Sequence, residues 1–427
     1  MDREFGFETL CLHAGQVPDT STAARAVPIY QTTSFVFDDT DHAASLFNLQ
    51  TFGNVYSRIT NPTNAVFEER LAALENGRAA VAVSSGMAAT ALALMTLCEQ
   101  GDHIVSSRSL YGGTHSMLDF NFKRLGIEST LVRSDDPDAY AQAIQTNTKC
   151  IYAETIGNPQ IDVFDIESIA EIAHQNDIPL VIDNTFCTPY LCRPFEWGAD
   201  IVVHSATKFL GGHGTSIGGV MVESGKFPWD NGKFPGMTEP SEGYHGVRFY
   251  ETFGDFGFTM RARFEQLRVM GPVLSPFNGF LLLQGVETLP LRMERHCENA
   301  LGTAKFLDEH RLVEWVRYPG LENDSCFGLS QKYMPRGAGG VLSFGIKGGV
   351  TAAVKFIESI EFLSHLANVG DAKSLIIHPA STTHRQMSEE QQTSSGITAD
   401  MVRLSVGLET LDDIIWDLDQ ALEKSQT

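Results

Sequence analysis

The sequence predicts an α/β protein: a mainly parallel sheet flanked by helices, followed by a smaller C-terminal α/β unit. Two observations carry this. Apolar runs of four to six residues, bounded by turns, alternate with stretches of helical spacing, as in parallel sheets covered on both faces. Three of these runs end in chemically suggestive residues, at the strand ends where parallel sheets bind ligands. A chain of 427 residues is long enough for a large core and two domains.

Residues 1–60 show little periodicity, yet "PIYQTTSFVF" is too apolar for a free tail. This segment is expected to pack against a neighbouring subunit. From Pro62, "NPTNAVFEERLAALENG" has helical spacing and stops at Gly77, read as a C-cap. The apolar runs follow in "AAVAVSSG", "HIVSS", "STLVR", "CIYAET", "PLVIDNT", "DIVVHSATK" and "IGGVMVES", with helical "MAATALALMTLCEQG" and "IESIAEIAHQN" between them. Residues 224–260 are rich in Gly, Pro and aromatics, which predicts a long ordered loop. "LSPFNGFLLLQGVETLPLRMERHCENALGTAKFL" reads as one long helix bent near Gly285 or Pro290. The second unit has strand-like "GVLSFGI", a helix over 351–361, strand-like "MVRLSVG" and a closing helix. The expected domains are 61–275 and 276–427, after the 1–60 segment.

Composition narrows the function. A formal net charge of −22 argues against a nucleic-acid partner, which demands a basic surface. No apolar run has the length of a membrane helix. The acidic start, "MDREFGFETL", lacks the pattern of a signal peptide. Seven cysteines, an odd number without a CxxC pair, fit a reduced, cytoplasmic protein. The sequon at Asn323 is read as chance in such a chain.

The chemistry centres on "ADIVVHSATKFLGGHG", where Lys208 follows an apolar run among small residues. Lysine at such a position is usually a solvated side chain. Its surroundings say otherwise. Gly86 and Met87 open a helix directly after a strand, so their N–H groups are placed for a phosphate. Ser205 and Thr207 add hydroxyls beside the lysine. Asp183 ends a neighbouring strand, where a carboxylate keeps a pyridine nitrogen protonated. Tyr111 in "LYGGT" offers a ring for stacking. Arg403 in "MVRLSVG" is one charge in an apolar setting, suited to a substrate carboxylate. Each feature alone has a bland reading, as an N-cap, a loop cap, packing or a structural ion pair. Together they meet the demands of pyridoxal 5′-phosphate, bound to Lys208 as a Schiff base.

Two other patterns lose to this. Gly214–Gly218 spells G-x-S-x-G, but a strand-like segment follows where the hydrolase elbow needs a helix. "GHGTSIG" misses the dinucleotide fingerprint by one residue, and no strand closely precedes it. The histidines lack metal-ligand spacing, and no metal site is expected.

The stretches "SATKFLGGH", "YSRITNPT", "VSSGMAAT", "LYGGT", "VIDNTFCTPYLCRP", "HPASTTHRQ" and "VRLSVGLE" resemble the Cys/Met-metabolism family of pyridoxal-phosphate enzymes, across essentially the whole chain. The resemblance implies the aspartate aminotransferase-like type I fold. It implies Lys208 as the Schiff-base lysine, Asp183 as the pyridinium partner and Tyr111 as the stacking ring, the three catalytic residues. Gly86, Met87, Ser205 and Thr207 would bind the phosphate, and Asn158 the phenolic oxygen. Tyr56 and Arg58 would reach across a subunit interface to the neighbour's phosphate, Tyr56 also meeting substrate there. Arg403 and Ser374 would hold the substrate carboxylate. A homo-oligomer is implied, a tetramer built as a dimer of dimers.

"GFETLCLHAGQVPD", the "GKFPWDNGKFP" insertion and "PLRMERHCENA" are similar to the branch that replaces the acetoxy group of O-acetyl-L-homoserine by sulfide, giving L-homocysteine and acetate. Methionine γ-lyase and cystathionine γ-synthase chemistry share the same core and are the alternatives. Gly113 stands where the lyase branch carries a cysteine, which argues against methionine degradation. A non-catalytic, cofactor-binding relic is the alternative outside enzymes.

Overall fold

All seven apolar runs of the first unit pair into a single sheet. In a computed structural model that describes residues 3–382 and 396–426, they form β1 Ala79–Val83, β2 His103–Ser107, β3 Glu128–Val132, β4 Thr148–Glu154, β5 Leu180–Asp183, β6 Ile201–Ser205 and β7 Gly219–Glu223. The spatial order is β1-β7-β6-β5-β4-β2-β3. β7 runs antiparallel to β1 and β6, and every other pairing is parallel.

Strand alternation explains why the runs are apolar throughout. Val202, Val220 and Val222 point into a core with Phe67 and Leu71 of the helix Pro62–Glu75. Ile201, Val203 and Met221 point the other way, toward Leu92 and Leu94 of the helix Gly86–Leu97. Both faces are covered, so both sets of side chains must be apolar. Each such fully buried side chain contributes about 1.5–3 kcal/mol.

The helix boundaries follow from local chemistry. Asn61 caps the Pro62–Glu75 helix by accepting from Thr63 N at 3.0 Å. The left-handed C-cap is Asn76, at φ 58°, and not Gly77 as expected. Gly77 follows it, donating its N–H to Ala72 O at 2.8 Å.

A second sheet has the order β10-β11-β12-β9-β8, from β8 Val313–Arg317, β9 Val341–Ile346, β10 Ser364–His365, β11 Leu375–Ile377 and β12 Met401–Ser405. The helices Leu289–Glu309, Gly349–Ser359 and Leu411–Ser425 pack on it around Phe344 and Phe356.

Three expectations are corrected. The bent helix is two helices, Pro276–Glu287 and Leu289–Glu309, broken at Thr288. Residues 224–260 are not one loop but a chain of short helical turns, including Pro235–Thr238 and Phe249–Phe253, with Phe227, Trp229 and Phe234 buried against the large sheet. The 1–60 segment holds two short helices, Phe7–His13 and Thr40–Phe47. Residues 383–386, the end of "HPASTTHRQ", lie outside the described residues. No described helix is long and apolar enough to cross a membrane.

Candidate active site

The carboxyl ends of β4, β5 and β6 open on a cavity of about 370 Å³. Nine residues expected at the site line it: Gly86, Met87, Tyr111, Asn158, Asp183, Ser205, Thr207, Lys208 and Arg403.

Its floor is a tight junction. Ser85 caps the Gly86–Leu97 helix by accepting from Ala88 N at 3.1 Å. A side chain at Gly86 would strike Ser205 at 2.5 Å, and one at Gly219 would strike Ser85 O at 2.0 Å. Glycine is therefore required for the helix N-terminus to reach the sheet edge. The free N–H groups and positive end of this helix face the cavity beside the Ser205 and Thr207 hydroxyls. Thr207 is anchored to Gly218, with Oγ1 3.1 Å from both its N and O.

Lys208 stands on a turn fastened from several sides. Its own N–H donates to Ser205 O at 3.2 Å, and its carbonyl accepts from Gly212 N at 2.7 Å. The buried Arg292 guanidinium donates to Phe209 O at 2.6 Å, Leu210 O at 3.1 Å and Gly285 O at 2.6 Å. Burial, and then the Arg403 charge, lower the Lys208 amine to about 8. Its Nζ donates to Asn368 Oδ1.

Arg403 is 5% exposed, on β12 of the smaller sheet. It donates to Asn158 Oδ1 at 2.9 Å and Asn368 O at 3.3 Å, both neutral acceptors. It has no carboxylate partner among the described residues, and burial lowers it to about 10, so it stays charged at neutral pH. Asp183 accepts from Thr185 N at 2.9 Å; burial raises its carboxyl, and the hydrogen bonds from Thr185 oppose the rise.

A phosphate-bearing aldehyde fits this donor set. It offers an amine of suppressed basicity, a helix N-terminus with hydroxyls, a buried carboxylate and an unpaired arginine. A sequence profile described as "Cys/Met metabolism PLP-dependent enzyme" matches residues 8–423. The chain belongs to that family.

Relatives extend the match to full length. An O-acetyl-L-homoserine sulfhydrylase of Leptospira meyeri is 54% identical over 99% of this chain and 98% of its own. A homocysteine synthase of Schizosaccharomyces pombe is 54% identical over 98% of each chain. Among solved structures, a candidate O-acetylhomoserine (thiol)-lyase of Campylobacter jejuni superposes with a TM-score of 0.96 at 42% identity, covering 98% of this chain and 100% of that one. That structure contains N′-pyridoxyl-lysine-5′-monophosphate. The Cys/Met-metabolism family therefore accounts for the type I fold and for pyridoxal phosphate as cofactor.

Three further residues named for the site do not line this chain's own cavity, two of them, Tyr56 and Arg58, being expected at a neighbour's. Ser374 is buried outside the cavity lining. Its Oγ donates to Glu409 Oε2 at 2.9 Å and accepts from Gly407 N at 2.8 Å, which occupies the hydroxyl. Tyr56 and Arg58 lie outside the cavity of their own chain, with the guanidinium 5.1 Å from the tyrosine ring centroid.

Sequence reasoning missed Asn368 and Glu154, both of which line the cavity. It also missed a layer behind the sheet end. There Glu75 Oε1 meets His204 Nε2 at 2.5 Å and accepts from Asn184 Nδ2 at 3.0 Å, all three buried. The signal for it was a histidine and an asparagine inside apolar strand runs, one residue from Ser205 and Asp183 respectively.

Proposed function

We propose that this chain is an O-acetylhomoserine sulfhydrylase, converting O-acetyl-L-homoserine and sulfide to L-homocysteine and acetate. The observation that carries the reading is the pairing of Lys208, lowered to about 8, with the carboxylate-free Arg403 in one cavity. The first can move protons near neutral pH, and the second can hold an amino-acid carboxylate by a bidentate pair. The full-length relatives support the choice of substrate.

Pyridoxal phosphate, when bound, supplies the electron sink that makes the α- and β-protons of the amino acid removable. Gly86, Met87, Ser205 and Thr207 would hold its phosphate, Asp183 its ring nitrogen, Tyr111 its face and Asn158 its phenolic oxygen. Arg403 would orient the substrate by its carboxylate. Lys208 Nζ, with Asn368 Oδ1 as its hydrogen-bond acceptor, would take the α-proton, assist at the β-carbon and return a proton after sulfide has replaced acetate.

Gly113 supports replacement over methionine degradation. The position carries no thiol, and a Cβ there would lie 2.5 Å from the Tyr111 ring, so any side chain would require the ring to move.

The same reading takes the enzyme as cytoplasmic and as a tetramer of two dimers, in which Tyr56 and Arg58 reach the neighbour's phosphate. Exposed apolar residues of the N-terminal segment, Val36 and Phe52 among them, support an interface there. Sedimentation of the holoenzyme tests the assembly.

The activity is tested by measuring homocysteine and acetate from the acetyl and succinyl esters, each with sulfide or cysteine. Homocysteine from the acetyl ester and sulfide is expected. Cystathionine formation in preference, or no reaction with sulfide, would overturn the reading.

A further inference from the structure

Glu154 occupies a position that the reaction outlined above leaves without a task. It ends β4, in register with Asp183 at the end of β5, so two carboxyl groups stand side by side at one sheet edge. Glu154 is 8% exposed and lines the cavity. A buried carboxyl without a cation is costly and calls for a reason. Among the described residues no lysine, arginine or histidine pairs with it.

Its one hydrogen bond among the described residues gives the reason. Glu154 Oε1 accepts from the main-chain N–H of Tyr111 at 2.6 Å. Tyr111 is the N-cap residue of the short helix Gly112–Ser116, and its carbonyl is already engaged by Thr114 N at 2.9 Å and His115 N at 3.1 Å. Its ring folds over Gly113, where a Cβ would meet ring carbons at 2.5 and 3.1 Å. The bond from Glu154 fixes the other main-chain polar group of Tyr111, and so fixes where the ring begins.

We propose that Glu154 is a positioning residue of the cofactor site: from the end of β4, next to Asp183, it fixes the main chain of Tyr111 and thereby places the aromatic ring relative to that carboxylate. This rests on the cofactor assignment above. It adds a single side chain that registers the Tyr111 loop against the sheet edge. Burial, reinforced by the Asp183 charge, holds the Glu154 carboxyl well above the usual carboxylate range.

The test is uptake of pyridoxal 5′-phosphate by cofactor-free protein, followed by absorbance, in wild type, E154A, E154Q, Y111A and E154A/Y111A. Loss of one well-placed hydrogen bond predicts roughly tenfold weaker uptake in E154A. The amide oxygen of E154Q keeps the bond without a charge, so that variant should return to within about twofold of wild type. E154A/Y111A should be no weaker than Y111A, because the effect passes through Tyr111. Uptake by E154A equal to wild type, E154Q as weak as E154A, or additive losses in the double variant would each overturn the proposal. Hydrogen exchange of the Tyr111 amide covers poor folding of E154A: slow exchange in wild type and E154Q supports the role, and fast exchange in wild type overturns it. Failure of the wild type to take up the cofactor would instead overturn the proposed function itself.

Discussion

Arg403 Nη1 and Asn158 Oδ1 lie 2.9 Å apart, although 245 positions separate them in the chain. The bond joins β12 of the smaller sheet to the loop after β4 of the larger one, within the wall of the cavity. Because Asn158 is neutral, the guanidinium keeps its charge available for an incoming carboxylate.

The first prediction concerns that guanidinium. Arg403→Lys keeps the charge and loses the two-pronged geometry. It should raise KM for O-acetyl-L-homoserine roughly tenfold or more, the worth of one charge-assisted hydrogen bond, with a smaller change in kcat. Steady-state kinetics with sulfide held saturating checks it. An unchanged KM would remove Arg403 from substrate binding.

Lys208 sets the second. In the cofactor-free protein its amine, lowered from 10.5 to about 8 by burial and then by Arg403, is charged below pH 8 and neutral above it. An acylating reagent should therefore label Lys208 with a midpoint near pH 8, well below exposed lysines. Between pH 8 and 10.5 the unfolded chain binds a proton that the folded chain does not, so this group's contribution to stability rises with pH across that window. Arg403→Leu should move the labelling midpoint up. Peptide mapping after timed labelling reads both.

A third concerns the shared site. Lys208→Ala should lose the yellow absorbance of lysine-bound cofactor and nearly all turnover, and Arg58→Ala should bind cofactor weakly. Co-refolding the two variants at limiting cofactor should restore activity beyond that of either alone, since one site of a mixed pair then carries both native residues. No recovery in a confirmed mixed oligomer would place Arg58 in its own subunit's site or in none.

The fourth prediction lies behind the sheet. Glu75 and His204 are both fully buried, and Glu75 Oε2 and His204 Nδ1 have no hydrogen-bond partner among the described residues. Removing one member of such a pair typically costs about 3–5 kcal/mol. Glu75→Ala should lose stability on that scale in urea denaturation, with or without cofactor, whereas Glu75→Gln should lose less. A loss below about 1 kcal/mol would mean that the pair contributes little.

Legibility in the sequence followed burial. β4, β5 and β6 could be read because strands covered on both faces are apolar at every position, and their ends could be read because polarity begins abruptly there. That same contrast exposed Asp183, Ser205 and Lys208. Glu154 was hidden by it: as the last residue of "CIYAET" it passes for the solvated exit of a strand. Asn368 lies in a stretch with no periodicity, and only the fold brings it to Lys208. Ser374 misled because a hydroxyl's partner is set by tertiary packing, here by Glu409. β10 and β11 are two and three residues long, too short for any pattern to emerge. The Phe7–His13 and Thr40–Phe47 helices span about two turns, too few for a convincing apolar stripe.

Gly370 adopts φ +74°, and a Cβ there would fall 2.6 Å from Phe209 N and 2.9 Å from the Lys208 carbonyl carbon. The peptide that carries the reactive amine thus has a stretch of the smaller sheet's connections as its ceiling. A genetic variant at position 370 looks peripheral when aligned on the linear chain. In three dimensions it is an injury to the amine itself, and surveys of natural variation in this protein should score it with the lysine.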